Sequence, residues 1–278
     1  MIRLSAFADE VSVSFDRQLE YLTQAGVRWL EIRFVDGKNI TSLTDEEIMA
    51  IKARLDNASI GVSAIASPIG KYAIDAPFET HLALFRRTIE IARMLETSLI
   101  RIFSFYGSDN TDIDNCKEQV IDRLKTFISE SEGTDICLVH ENEAGIFGHS
   151  ASNCQILMQN LYSDRFQAAY DPANFVWGEK ITDNISSCWP LLEEYVSHVH
   201  IKDWTLGSKD IGSLPGDGDG QIPELFRKLA ECDYDGFVTL EPHMSSGGKF
   251  AGETTPAQFD AALKRVRTYC QENGIMYE

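Results

Sequence analysis

Short apolar runs alternate along the whole chain with longer segments of helical spacing. The runs predict strands at Ile2–Phe7, Trp29–Arg33, Gly61–Ala66, Leu99–Phe105, Ile136–Glu141, Phe166–Asp171, His198–Lys202 and Gly236–Glu241. Between them the spacing predicts helices over Phe15–Gln24, Asp45–Leu55, Phe78–Leu95, Lys117–Ser129, Asn153–Leu161, Trp189–Tyr195, Ile222–Ala230 and Ala257–Gln271. Local end signals agree. Thr44 to Glu47 fits a capping box, and Thr255 to Gln258 fits another, with Pro256 at the first helical position. Gly26 stands where a glycine ends the first helix.

Strand-then-helix units repeated over 278 residues predict an α/β fold, a (β/α)8 TIM barrel spanning residues 1–278 as a single domain. A doubly wound open sheet would carry a glycine-rich first turn. The first turn here, Ala8-Asp9-Glu10-Val11-Ser12, has no glycine.

Active-site groups of a barrel come from the C-terminal ends of its strands. The last four strand ends carry Glu141, Asp171, His200 and Glu241. Three carboxylates and one imidazole make a hard oxygen and nitrogen set, suited to one divalent metal ion: Mn²⁺, Mg²⁺, Co²⁺ or Zn²⁺. Without a cation such carboxylates repel. The two-residue period puts His198, His200 and Lys202 on one face, and His200, nearer the strand end, is the better ligand candidate. Taken singly, each carboxylate also suits a helix cap and each histidine a satisfied core group. The conjunction at four consecutive strand ends carries the inference. Arg33, Lys71, His140, Asn174, Lys202 and His243 are candidates to hold substrate oxygens.

The charge balance narrows the partners. With 43 acidic against 25 basic residues, the net charge is -18. That leaves no basic footprint for nucleic acid or anionic membrane. No run approaches the ~18 apolar residues of a membrane span. The N-terminus lacks a basic region followed by a long apolar stretch, so a cytoplasmic protein is expected. Cys116, Cys137, Cys154, Cys188, Cys232 and Cys270 are widely spaced and predict buried thiols in a reducing compartment. The expected partner is a small molecule; homo-oligomers are common among barrel enzymes and remain open here. The run from Gly216 to Gly220 predicts a flexible loop rather than a Ca²⁺ or phosphate site. Phe105, Tyr106, Trp177 and Trp204 lie near strand ends, as pocket walls or as packing residues.

The series Glu141-Asn142, Asp171-Pro172-x-Asn174, His200-x-Lys202-Asp203 and Glu241-Pro242 resembles the xylose isomerase-like TIM-barrel superfamily, the sugar phosphate isomerase/epimerase family. That group includes ketose 3-epimerases, inosose dehydratase, hydroxypyruvate isomerase and endonuclease IV. The resemblance covers essentially the whole chain, the opening Ser5 to Glu10 included. It implies that Glu141, Asp171, His200 and Glu241 are the metal ligands, with Glu141 and Glu241 also an acid/base pair. The implied chemistry removes a proton beside a carbonyl of a keto-sugar or polyol, through a metal-stabilised enediolate. Isomerisation, epimerisation or, with loss of a β-hydroxyl, dehydration follows. Asn174 stands where endonuclease IV-like enzymes, and commonly the ketose 3-epimerases, have histidine. The nuclease's other ligands are also missing: strands three and four supply no matching histidines, and Leu214 to Gly220 replaces an Asp-x-His motif. A metal-dependent endonuclease and a non-catalytic sugar-binding protein are the remaining rivals.

Overall fold

The computed structural model describes residues 1–208, 211–245 and 254–278. Eight strands form where the apolar runs lie: β1 (Arg3–Ala6), β2 (Trp29–Ile32), β3 (Gly61–Ala66), β4 (Leu99–Ile102), β5 (Cys137–Glu141), β6 (Phe166–Tyr170), β7 (Val196–Ile201) and β8 (Phe237–Leu240). Each pairs in parallel with its neighbours in sequence, and β1 pairs with both β2 and β8, so the sheet closes into a barrel. The helices are α1 (Phe15–Ala25), α2 (Asp45–Ala58), α3 (Phe78–Met94), α4 (Lys117–Glu130), α5 (Ala151–Leu161), α6 (Trp189–Leu192), α7 (Ile222–Glu231) and α8 (Pro256–Glu272). The expected (β/α)8 architecture is the observed one.

The end signals work as their chemistry requires. Thr44 accepts a hydrogen bond from the Glu47 amide, and the Glu47 carboxylate accepts one from the Thr44 amide. Thr255 and Gln258 form the same reciprocal box at α8. Gly26 ends α1 at φ 65°, a left-handed conformation that costs glycine little.

The main hydrophobic core lies between barrel and helices. Leu4, Leu30, Ile100, Leu138, Val199 and Val238 belong to it with helix residues such as Leu22, Leu55, Phe85 and Leu225. The barrel interior is polar instead. Ser5 and Ser63 share a 2.6 Å hydrogen bond there, and Glu31, Arg101, His198 and Thr239 are all buried. Apolar interior packing includes the small cluster of Cys137, Val139 and Ala169.

Three departures from the expected pattern have local causes. Asp36 and Gly37, both at positive φ, turn a short hairpin between Phe34–Val35 and Lys38–Asn39. The segment before β7 is broken into a turn at Pro172–Asn174, a π-helical stretch at Phe175–Glu179 and Asn184–Ser187, so α6 is one turn extended by a 3-10 turn at Glu193–Tyr195. Ser63 has no Cα partner on β2, which puts a bulge beside Glu31. All six cysteines are unpaired thiols; Cys137, Cys154, Cys188 and Cys270 are buried as expected, but Cys116 is only partly buried and Cys232 is exposed. No helix among the described residues is long and apolar enough to cross a membrane.

The loop after β3 is held against β4. Gly70, at φ +85°, presses on the backbone of Phe103, where a Cβ would lie 2.0 Å from the carbonyl oxygen. Its amide donates to His81 Nε2 at 2.8 Å, so this imidazole must keep a lone pair. Burial, then the nearby Arg123 charge, pulls His81 down to about 4. The folded pKa lies below the unfolded value. This stability is therefore complete above about pH 6.5 and lost as pH falls toward 4. Urea unfolding should show this group contributing on the order of 3 kcal/mol across that window. His81→Gln should flatten the acid limb of the stability profile, and an unchanged limb would remove His81 as its source.

Candidate metal centre

Alternation along β5 turns Val139 and Glu141 to the barrel axis. On β7 the same rule turns His198 and His200 inward, with Lys202 following them, and on β8 it turns Thr239 inward and Glu241 after it. Asp171 directly follows β6. Ligand atoms of Glu141, Asp171, His200 and Glu241 all lie within 4.8 Å of one another, and none of the four residues is more than 5% exposed.

Asp171 divides its carboxylate between two tasks. Oδ1 accepts from the amides of Ala173 and Asn174 at 2.9 and 3.2 Å and caps the turn begun by Pro172. Oδ2 is buried, accepts no hydrogen bond, and has Lys202 Nζ 2.8 Å away. The capping role and the ligand role are thus compatible on one side chain. Asn142 fixes the backbone of Asp171 through two hydrogen bonds, 2.8 Å to its carbonyl and 2.9 Å from its amide.

The other groups interlock around this point. His200 Nδ1 lies 3.1 Å from Glu141 Oε1 and 3.8 Å from Glu241 Oε2. Asn174 donates to the Asn142 carbonyl at 2.8 Å and to Glu141 at 3.3 Å. Arg33 bridges Asp9 and Glu241 at 2.9 and 2.7 Å, with its guanidinium over the Phe7 ring. Lys202 lies 3.5 Å from Glu241, and His243 Nε2 lies 3.5 Å from Glu241 and 3.3 Å from Glu10. Lys71 sits at the rim, paired with Glu143. His140 is placed elsewhere. It occupies the opposite face of β5 from Glu141 and packs beside Gly148 and Phe166, away from the four ligand candidates. The two-residue period that turns Glu141 inward turns His140 outward.

Burial alone raises every carboxylate pKa. At Glu241 that effect is outweighed by Lys202, His243 and Arg33, which hold the group well below the usual range. At Glu141 burial is outweighed by His200 and Arg101, leaving it at about 2. Asp171 behaves oppositely: burial, only partly offset by Lys202, pushes it up to about 7. Glu10 is pushed up to about 8 by burial and then by the Glu241 charge. The donor set, with an Asp171 Oδ2 that accepts no hydrogen bond and already faces one cation, the Lys202 ammonium, fits a hard divalent ion.

Several neighbours escaped sequence reasoning. Arg101 lies 3.3 Å from Glu141 and stacks on Phe103. Its signal was a lone charge inside the apolar run Leu99 to Phe103. The rings beside the site include Phe7, edge-on to His200, Phe103, and the expected Tyr106, which feels the charges of Glu143, Arg101 and Glu141. Of the expected aromatics, Phe105 packs with Phe78 and Phe127, Trp204 packs with Ala173 and Val176, and Trp177 is half-exposed. The run Gly216 to Gly220 is anchored rather than loose. Asp203 accepts the amides of Trp204, Gly216, Gly218 and Gly220 at 2.7 to 3.0 Å. A Cβ at residue 218 would sit 2.5 Å from that carboxylate, so glycine lets the backbone close on it.

A family model described as Xylose isomerase-like TIM barrel matches residues 19–269. The chain belongs to this family. No curated protein matches its sequence. Among solved structures of similar fold, 3-keto-D-glucoside 4-epimerase from E. coli shares 17% identity, with 96% of this chain and 100% of that one covered, at TM-score 0.72. A xylose isomerase-like TIM barrel protein from Mycobacterium smegmatis in complex with magnesium shares 13%, covering 98% and 97%, at 0.75. A probable 3-DHS dehydratase from Bacillus anthracis shares 13%, covering 96% and 99%, at 0.73. These likenesses are of fold.

A metal-binding carboxylate must lose its proton. Mn²⁺ affinity, read by calorimetry, should therefore fall as pH drops through about 7, where Asp171 takes up a proton. Asp171→Asn keeps a capping oxygen but loses the second anionic one. It should weaken Mn²⁺ binding at least roughly tenfold with little change in thermal midpoint. Unaltered affinity would exclude Asp171 as a ligand.

Proposed function

We propose that this protein is a divalent-metal-dependent isomerase or epimerase of a small keto-sugar or polyol, working in the cytoplasm. The observation that carries the reading is the placement of Glu141 and Glu241. They are two buried carboxylates held ionised, one at the end of β5 and one just after β8, with oxygens that meet within 4.8 Å of ligand atoms of Asp171 and His200. Family membership and the sugar epimerase among the similar folds support it. The Mycobacterium smegmatis protein of similar fold, solved in complex with magnesium, supports a divalent cation as the cofactor.

Glu141, Asp171, His200 and Glu241 would hold the ion. When bound it polarises a substrate carbonyl and acidifies the neighbouring C–H. Glu141 and Glu241 act as bases because both are ionised well below neutral pH. One takes the proton from the substrate carbon and becomes the carboxylic acid; in isomerisation that same acid returns it to the adjacent carbon, and in epimerisation the other glutamate, having first taken a proton from solvent, returns it from its own side. Asn174 and Arg101 orient Glu141, while Arg33 and Lys202 orient Glu241. Lys202, Arg33 and His243 present N–H groups beside the reacting carbon, where substrate hydroxyls or a carboxylate would be held. Lys71 at the rim meets the far end of the substrate.

A second reading, dehydration of a keto-polyol, is favoured by Glu10. Raised to about 8, it stays protonated at neutral pH beside His243 and Glu241, an acid available to a departing hydroxyl. The probable dehydratase among the similar folds agrees with it.

Purified protein should carry, or take up, about one divalent ion per chain. Glu241→Gln should slow solvent-deuterium exchange into a keto-sugar by roughly 10²–10⁴-fold while the fold survives. A protein that takes up no Mn²⁺, or a Glu241→Gln variant that exchanges at the wild-type rate, would end this reading. Release of water with exchange would select the dehydratase.

A further inference from the structure

Below the candidate centre lies a second buried constellation. Glu31, on β2, is fully buried, as is His198 on β7. Glu31 Oε2 lies 2.7 Å from His198 Nε2 and 3.2 Å from His200 Nε2, and Oε1 lies 3.3 Å from the same His200 nitrogen. One carboxylate thus faces the Nε2 atoms of both imidazoles. His200 meets Glu31 with one ring nitrogen and Glu141 with the other. The Phe7 ring stands edge-on to His200 at 87°, 5.3 Å between centroids, which limits rotation of the imidazole.

We infer that Glu31 is a positioning residue, which takes the Nε2–H of His200 and so leaves Nδ1 as the nitrogen that binds the ion. This rests on the proposal that His200 is a ligand. An ionised carboxylate can only accept, so with no ion bound each His200 nitrogen carries a proton, one toward Glu31 and one toward Glu141; an ion entering among Glu141, Asp171 and Glu241 takes the place of the Nδ1 proton, whereas Glu31 keeps the Nε2 proton. A neutral imidazole has a single N–H and a single lone pair. With the N–H committed to Glu31, the lone pair is on Nδ1, aimed at Glu141, Glu241 and Asp171. The arrangement of carboxylate, histidine and metal fixes ring orientation and raises ligand basicity.

The same reasoning decides against a second ion between Glu31, His198 and His200, although their ligand atoms also converge. An ion there needs the Nε2 lone pair of His200, and a neutral ring offering that pair has its proton on Nδ1. The two ions would compete for one histidine. The bulge beside Glu31 and the hydrogen-bonding distance to His198 suit a carboxylate shared by two N–H donors.

The test uses the full chain. Wild type and Glu31→Gln are titrated with Mn²⁺ by calorimetry. Ring-nitrogen NMR on the Zn²⁺-loaded wild type reads which His200 nitrogen carries the proton. Expected are one ion per wild-type chain, an Nε2–H on His200, and roughly tenfold to hundredfold weaker Mn²⁺ binding in Glu31→Gln. Equal affinity in the variant, an Nδ1–H on the loaded wild type, or two ions per chain would overturn the inference. If Glu31→Gln fails to fold, the wild-type NMR result still decides. Wild type that binds no ion at all would instead overturn the metal-dependent reading on which this rests.

Discussion

Ionised side chains inside a closed barrel must neutralise one another, because each lacks the water that would otherwise stabilise it. This constraint organises the C-terminal end of the barrel. Arg33 from the end of β2 joins Asp9, after β1, to Glu241, after β8. Lys202, after β7, joins Asp171, after β6, to Glu241. Arg101 of β4 reaches Glu141 of β5. Each pairing crosses from one strand to another, so charge neutralisation and strand closure fix the same geometry. The barrel interior cannot be an apolar core with a site placed on top of it. Its serines, threonine, histidines and glutamate continue the hydrogen bonding downward from the mouth.

The fold was legible because its signals are local. Apolar runs, capping boxes and one C-terminal glycine depend on residues a few positions apart, and each formed as the sequence required. The hairpin at Asp36-Gly37 carries a signal of the same local kind, an Asp-Gly turn. The four strand-end residues were also readable, since a parallel barrel brings all strand ends to one face. What escaped has other causes. His140 and Glu141 are adjacent, and only the pleat sends one outward and the other inward. Arg101 needed the strand phase of β4 to be seen as facing Glu141. The anchoring of Gly216 to Gly220 depends on Asp203, which is distant enough in sequence that no local pattern announces it.

The similar folds show how little identity this architecture demands. At 13 to 17% identity the chains still superpose with TM-scores of 0.72 to 0.75. Core positions between barrel and helices require apolar volume rather than particular residues. Groups at the barrel mouth are more constrained, because each must satisfy a named partner. Asn174 illustrates this: its amide serves the Asn142 carbonyl and Glu141 together.

The divided carboxylate of Asp171 separates two events that coincide in many small metalloproteins. There the apo chain is unordered, and the ion supplies the free energy of folding. Here one oxygen secures the turn after β6 whatever occupies the space beside the other. The cradle is complete as soon as the chain folds, so little conformational entropy is left for an arriving cation to remove. On the proposed reading, entry of a cation would displace the Lys202 ammonium from Asp171 without reopening the barrel.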